Sequence, residues 1–139
     1  MTKLNWNRIV LGGLAAGVAL VLMDMITMGG IFNAQISAAM ASIGLNWEDG
    51  GPADLAFMIA FNLIVSFFAV WLYAHLKTRY GPGPRTALIV GLVVWVIVYV
   101  QEGLTLRMIF PTSVVGIVLM VGLVEALVVS QIGAYLYRD

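Results

Sequence analysis

Three carboxylates stand inside otherwise apolar stretches of this chain: Asp24 in VLMDMITMGG, Glu102 in YVQEGLTL and Glu125 in GLVEALVV. An ionised side chain in the middle of a bilayer costs on the order of 3 kcal/mol on insertion scales, so none of the three should face lipid. Facing acids can share a proton, bind a cation together, or pair with a base. Arg107 is within reach for Glu102 and awkward for Glu125. Protonated acids can also act as hydrogen-bond glue between helices, at ~0.6 to 2 kcal/mol per contact. Asp24 and Glu102 each precede a threonine by three residues, Thr27 and Thr105, and the second apolar stretch carries a lone amide, Asn62. The candidate proton- or cation-binding set is therefore Asp24, Thr27, Asn62, Glu102, Thr105 and Glu125.

The elements that must position these groups follow from composition. The 139-residue chain is 62% hydrophobic and 10% charged, whereas a soluble domain is about half apolar and a quarter charged. Four long apolar segments, about 8-30, 54-76, 85-106 and 112-136, each suffice for ~30 Å of hydrocarbon. They must be helices, because unclosed strands leave backbone groups unpaired in lipid. The expected fold is an all-α, polytopic four-helix membrane bundle forming one domain, with the first span retained and not cleaved as a signal. Net charge is zero, and no nucleic-acid partner is implied; the lipid bilayer is the expected surrounding.

Basic residues set the orientation. Lys3 and Arg8 precede the first span, Lys77, Arg79 and Arg85 lie between the second and third, and Arg138 follows the fourth, while Glu48, Asp49 and Asp54 crowd the first long loop. Both termini should be cytoplasmic. Trp6, Trp47, Tyr73, Tyr80, Tyr135 and Tyr137 fall near span ends, as interfacial aromatics do. YGPGPRTA, residues 80 to 87, reads as a tight turn. In the first loop, Ile36, Met40 and Ile43 recur at helical spacing between Asn33 and Gly44. This predicts a short amphipathic surface helix over about 34-44, capped by Asn33 and stopped by Gly44.

Each span also shows a face. Gly13 and Gly17 share a stripe with Leu20, Asp24 and Thr27; Asn62, Ser66, Ala69 and Tyr73 line the second span; Gly91, Trp95, Tyr99, Glu102 and Thr105 line the third; Gly122, Ala126, Ser130 and Ala134 line the fourth beside Glu125. Small residues at four-residue spacing permit close helix approach, so Gly13, Gly17, Gly122, Ala126, Ser130 and Ala134 are the expected packing positions. Displacing the chain by 78 residues lays Gly13 on Gly91, Thr27 on Thr105 and Asp24 on Glu102, while Leu72-Tyr73 meet Leu136-Tyr137 at a displacement of 64. Such parallel repeats would set Asp24 and Glu102 face to face across an axis along the membrane normal. Counting rises from the span starts puts those two at one level, ~24 Å up, and Glu125 ~20 Å down from the opposite side at a second, deeper level.

Other chemistry finds little footing. Met23, Met25 and Met28 around Asp24 suggest copper(I), but Met25 points away from the other two on a helix. His75 is the one histidine and lies beside Lys77 at a span end, and cysteine is absent. Phosphate loops, nucleophile elbows and metalloprotease motifs are missing, so no enzyme activity, cofactor or metal is expected.

On NWNRIVLGGLAAG, VWLYAHLKTRYGPGPRTAL and GAYLYRD, the chain resembles a functionally uncharacterised group of small bacterial four-span proteins that begin near Asn-Trp-x-Arg and end in Tyr-x-Tyr-Arg. The resemblance runs the whole length and implies a multi-pass protein of the bacterial inner membrane. It carries over no site residues. Two functions compete. The favoured one is a non-enzymatic accessory or scaffolding component, whose acids serve helix packing and whose small-residue faces dock a homo-oligomer or a larger membrane complex. The alternative is a small proton- or cation-coupled transporter working as an oligomer through Asp24, Glu102 and Glu125.

Overall fold

The computed structural model describes residues 4–137, apart from the Trp47 side chain. Lys3 and Arg138 lie outside the described residues. Within them the chain is helical: α1 (Trp6–Ile31), α2 (Asn33–Ser42), α3 (Pro52–Tyr80), α4 (Pro84–Leu106) and α5 (Thr112–Leu136), with a short turn of 3₁₀ helix at Trp47–Asp49. The four long helices α1, α3, α4 and α5 are each long and apolar enough to cross a membrane. Their outward faces are apolar, with Leu11, Val18, Ile64, Met120 and Val124 among the exposed large side chains. A bilayer is the solvent such a surface requires.

Local chemistry starts and stops these helices. The Asn5 side chain accepts the Arg8 N–H at 3.2 Å and caps α1. Asp54 accepts the Gly51 N–H at 3.0 Å ahead of α3, whose first residue is Pro52. Between α3 and α4 the backbone takes φ +84° at Gly81 and +132° at Gly83, a region closed to side chains, and Pro84 then opens α4. At α2 the outcome differs from the expected cap. Asn33 is already helical and its Oδ1 accepts the Ser37 hydroxyl at 3.2 Å, so it caps nothing. Gly44 does end the helix, with paired bonds from Gly44 N–H to Ala41 and from Leu45 N–H to Met40.

In cross-section α1 packs most extensively on α3, and α4 on α5; α1 also packs on α5, and α3 on α4. α3 and α5 meet across the short diagonal, leaving α1 and α4 at opposite corners. Glycines set the closest approaches. A Cβ at Gly13 would collide with Phe67, at Gly17 with Leu63, at Gly122 with Tyr99 and at Gly133 with Val70. Gly13, Gly17, Gly122, Ala126, Ser130 and Ala134 are all buried inside this one chain.

Tyr73 and Tyr137 are not interfacial. Both are 3% exposed, and each accepts a backbone N–H at the start of a helix in the other hairpin: Gly83 N–H to Tyr73 at 2.9 Å and Asn5 N–H to Tyr137 at 3.2 Å. Gly83 lies 78 residues after Asn5, and Tyr137 lies 64 after Tyr73. These are the two displacements noted in the sequence, so the hairpins α1–α3 and α4–α5 exchange corresponding bonds, a local pseudo-symmetry.

Two stretches depart from α-helical winding, and both adjoin the acids. Thr27–Ile31 closes α1 as π-helix, and Trp95–Val100 interrupts α4 in the same way. A π turn admits an extra residue and re-phases everything beyond it. On α4 the buried positions run Val90, Val94, Tyr99 and Gly103, with a five-residue step where the π turn lies.

Candidate functional site: a carboxyl cluster beneath a cavity

Four long helices each send a polar group to one level of the bundle. Glu125 on α5 is fully buried, and Tyr99 donates its hydroxyl to Oε2 at 3.2 Å. Thr27 Oγ1 stands 3.1 Å from Oε1. The Asp24 carboxyl lies within hydrogen-bonding reach of Glu125, and Asn62, 5% exposed, donates its amide N–H to Asp24 Oδ2.

This pairing overturns the two-level depth expected from counting along the spans. In a helix the Cα–Cβ bonds tilt toward the N-terminus. On α1 and α4 that direction is toward the Gly-Pro turn, and on α3 and α5 it is toward α2. Asp24 and Tyr99 therefore lean one way, Asn62 and Glu125 the other, and the four tips converge.

Proton accounting gives the cluster its character. The Thr27 hydroxyl has one proton, and its nearest acceptor is the Met23 carbonyl at 2.8 Å, against 3.1 Å for Glu125. Thr27 can donate that proton to the Met23 carbonyl or to Glu125 Oε1, and filling both contacts at once needs a second proton. The Asp24–Glu125 contact needs one as well, since two carboxylates cannot bond without it. Oxygens outnumber protons here, so the set can gain or lose a proton by small rotations and without breaking a helix.

Above the cluster, toward α2, opens a cavity of about 640 Å³. Its walls are apolar and rich in methionine, with Met25, Met28, Met40, Met58, Phe61 and Val118, and its polar groups are Asp24, Asn62, Tyr99 and Glu102. No lysine, arginine or histidine lines it. α2 lies along this opening, presenting Ile36, Ala39 and Met40 to it, while Ile43 is exposed. Glu125 sits behind Asp24 and Tyr99, off the lining.

Glu102 is exposed and lines the cavity within electrostatic range of Asp24, although its helix stands at the opposite corner from α1. The acid bonded to Asp24 is thus Glu125, and Glu102 faces it across the cavity. Arg107 is an exposed residue at the end of α4 and is not among the groups acting on Glu102. Thr105 leaves the set: it is exposed and bonds only within its own helix, to the Gln101 carbonyl at 3.1 Å and the Gln101 side chain at 3.5 Å. The π turn in α4 accounts for this, because it brings Gly103 onto the packing face against Leu119. Straight helical tracing from Tyr99 misses that rotation.

Tyr99 is the group that sequence reasoning passed over as a donor. Its place one turn before Glu102 was legible, its bond to Glu125 was not. Two neighbours, Ser66 and Ser130, are 0% and 2% exposed, and their hydroxyls have no partner. His75 lies outside the site, its ring against Trp71 at 4.4 Å and its Nδ1 2.9 Å from the Trp71 carbonyl. Among the described residues no three His, Cys, Asp or Glu side chains converge closely enough to hold a metal ion. Comparison of the chain with protein-family models, with curated proteins and with solved structures finds no match.

Proposed function

We propose that this membrane protein is a small proton-coupled carrier of cations, and that the cavity beneath α2 is where the cation binds. One observation carries the reading: among the described residues the cavity's only ionisable carboxyl or basic lining groups are Asp24 and Glu102, and Asp24 lies within hydrogen-bonding reach of Glu125, which is fully buried and off the lining. Apolar walls with acidic groups at one end suit a cation with an apolar body, whose charge replaces a proton on the cluster. Asp24 and Glu102 meet the cation; Glu125 stores the proton; Tyr99, Thr27 and Asn62 hold the carboxyls in register.

The accessory or scaffolding reading has less support. It rested on acids that bond helices together, which the Asn62–Asp24 and Tyr99–Glu125 contacts also fit, and on small-residue faces free to dock, which are consumed by packing within one chain. A homo-oligomer or larger complex would have to form through the outer apolar faces. The distribution of basic residues supports a cytoplasmic side for both termini and the Gly-Pro turn, and the resemblance to small four-span proteins suggests the bacterial inner membrane. α2 would then lie over the outer mouth of the cavity.

The test is binding of tetraphenylphosphonium to the purified protein in detergent. Saturable binding that strengthens as pH rises is expected, because the cation competes with protons for the same carboxyls. Asp24→Asn and Glu102→Gln should each weaken it. Binding that ignores both substitutions and pH would overturn the proposal.

A further inference from the structure

A second cavity, of about 840 Å³, enters from the Gly-Pro end and is lined by Tyr73, Lys77, Gln131, Ala134 and Tyr137 among others. The two cavities approach each other along the α3–α5 seam. On α3 the upper one reaches Val65 and the lower one begins at Tyr73. That separation of eight residues is ~12 Å of helix, and on α5, where the linings stop at Val118 and Gln131, thirteen residues make ~20 Å. Between them the seam is closed by small or branched apolar residues: Ala69, Val70, Ala126 and Val129, all buried.

The two hydroxyls without partners lie in this interval. α3 and α5 run parallel, with Val70 packed on Gly133 and the Tyr73 ring 6.2 Å from that of Tyr137. Ser66 comes one turn before Val70, and Ser130 three residues before Gly133. Both therefore sit at one level of the seam, Ser66 one turn beyond Asn62 on the same face and Ser130 five residues beyond Glu125. A helical serine or threonine ordinarily hides its hydroxyl on the carbonyl three or four residues back. Thr27, Thr78 and Thr105 do so in this protein. Ser66 and Ser130 do not, although both are almost fully buried. A buried hydroxyl left in this way belongs beside an internal water, which needs two to four polar partners and room to stand.

We propose that Ser66 and Ser130 together hold water that relays the Glu125 proton to the lower cavity, so that the α3–α5 seam is the proton route through the bundle. The relay balances. Glu125 gives up one proton, each water and hydroxyl on the way accepts one and passes one on, and one proton leaves into the lower cavity. The titratable groups facing Glu125 are Asp24 from α1 and Tyr99 from α4; Glu102 faces Asp24 and Tyr99 from the cavity side, and α3 contributes to the cluster only the neutral Asn62, bonded to Asp24. The route extends the carrier reading by giving its proton a second exit, on the side opposite the cation cavity.

The experiment uses the full chain in phosphatidylcholine–phosphatidylglycerol vesicles with an entrapped pH dye, a potassium gradient and valinomycin. Proton entry is followed in the wild type, in Ser66→Ala/Ser130→Ala, and in Ser66→Thr/Ser130→Thr, which restores both hydroxyls. The alanine pair is expected to slow proton entry on the order of tenfold, with the threonine pair recovering much of the rate. All three are compared at equal helicity and equal elution as a single species. Wild-type entry no faster than in empty vesicles, or an alanine pair as fast as the wild type, would overturn the relay. Phosphonium binding separates the two proposals: binding retained with serine-independent proton entry removes the relay alone, and serine-dependent entry without binding removes the cation site alone.

Discussion

The two ends of the bundle use buried polar groups in opposite ways. At the Gly-Pro end each bond is closed, one donor to one acceptor: Gly83 N–H to Tyr73, Asn5 N–H to Tyr137, and the Thr86 hydroxyl to the Gly81 carbonyl at 2.7 Å. None of these needs a carboxyl, and none has a spare oxygen to fill. At the α2 end, Asp24, Thr27, Tyr99 and Glu125 share fewer protons than their oxygens can take, next to an open cavity. Closed pairs fix geometry, whereas a set short of protons can change its state while the helices stay in place. On the proposed reading, the difference gives anchoring to the tyrosine bonds at one end and cation binding to the carboxyl cluster at the other.

Substitutions can break that contrast, starting with the largest expected effect. Glu125→Gln removes the proposed proton store and keeps its shape. Cation uptake driven by a pH gradient in vesicles should vanish while the circular dichroism is unchanged, and full uptake in this variant would exclude Glu125 as the coupling residue. Gly133→Leu attacks the anchoring side, where a side chain must collide with Val70; a loss of about 1–3 kcal/mol or more is expected, read as a lower unfolding temperature in detergent.

Asn62→Leu deprives Asp24 of its N–H donor. A hydrogen bond to an ionised group contributes roughly 1.5–3 kcal/mol, so phosphonium binding at neutral pH should weaken by about tenfold or more while the bundle remains folded. Tyr137→Phe and Tyr73→Phe each remove one closed bond at the far end, for about 1 kcal/mol apiece. The two losses should be similar, as the pseudo-symmetry requires, and cation binding should not change. An unfolding series in which one tyrosine matters and the other does not would deny the equivalence of the two hairpins. The smallest effect separates the two threonines: Thr105→Val should stay within about 0.5 kcal/mol of the wild type and leave binding intact, whereas Thr27→Val should disturb both.

The stripe on α1 was legible because nothing interrupts its period until after Asp24. Ile9, Gly13, Gly17 and Leu20 are buried on the same face that leads to the acid. The stripe on α4 was legible only as far as Tyr99, since periodicity carries no mark of a π turn and Thr105 was placed by a rule that fails there. Tyr73 and Tyr137 read as interfacial because their position in sequence is that of an interfacial aromatic. Their burial depends on which helix start lies opposite, ten residues along the chain for Tyr73 and 132 for Tyr137.

What the sequence alone determined is the class of molecule. Sixty-two per cent hydrophobic content in four spanning lengths leaves helices as the only way to satisfy the backbone in lipid, and acids within those helices must turn toward polar company. Which company was decided by tertiary structure. Side chains lean toward the N-terminus of their own helix, so Asp24 and Glu125 meet although their residue counts set them at different depths. A single extra residue in a π turn then decides which groups on α4 join them.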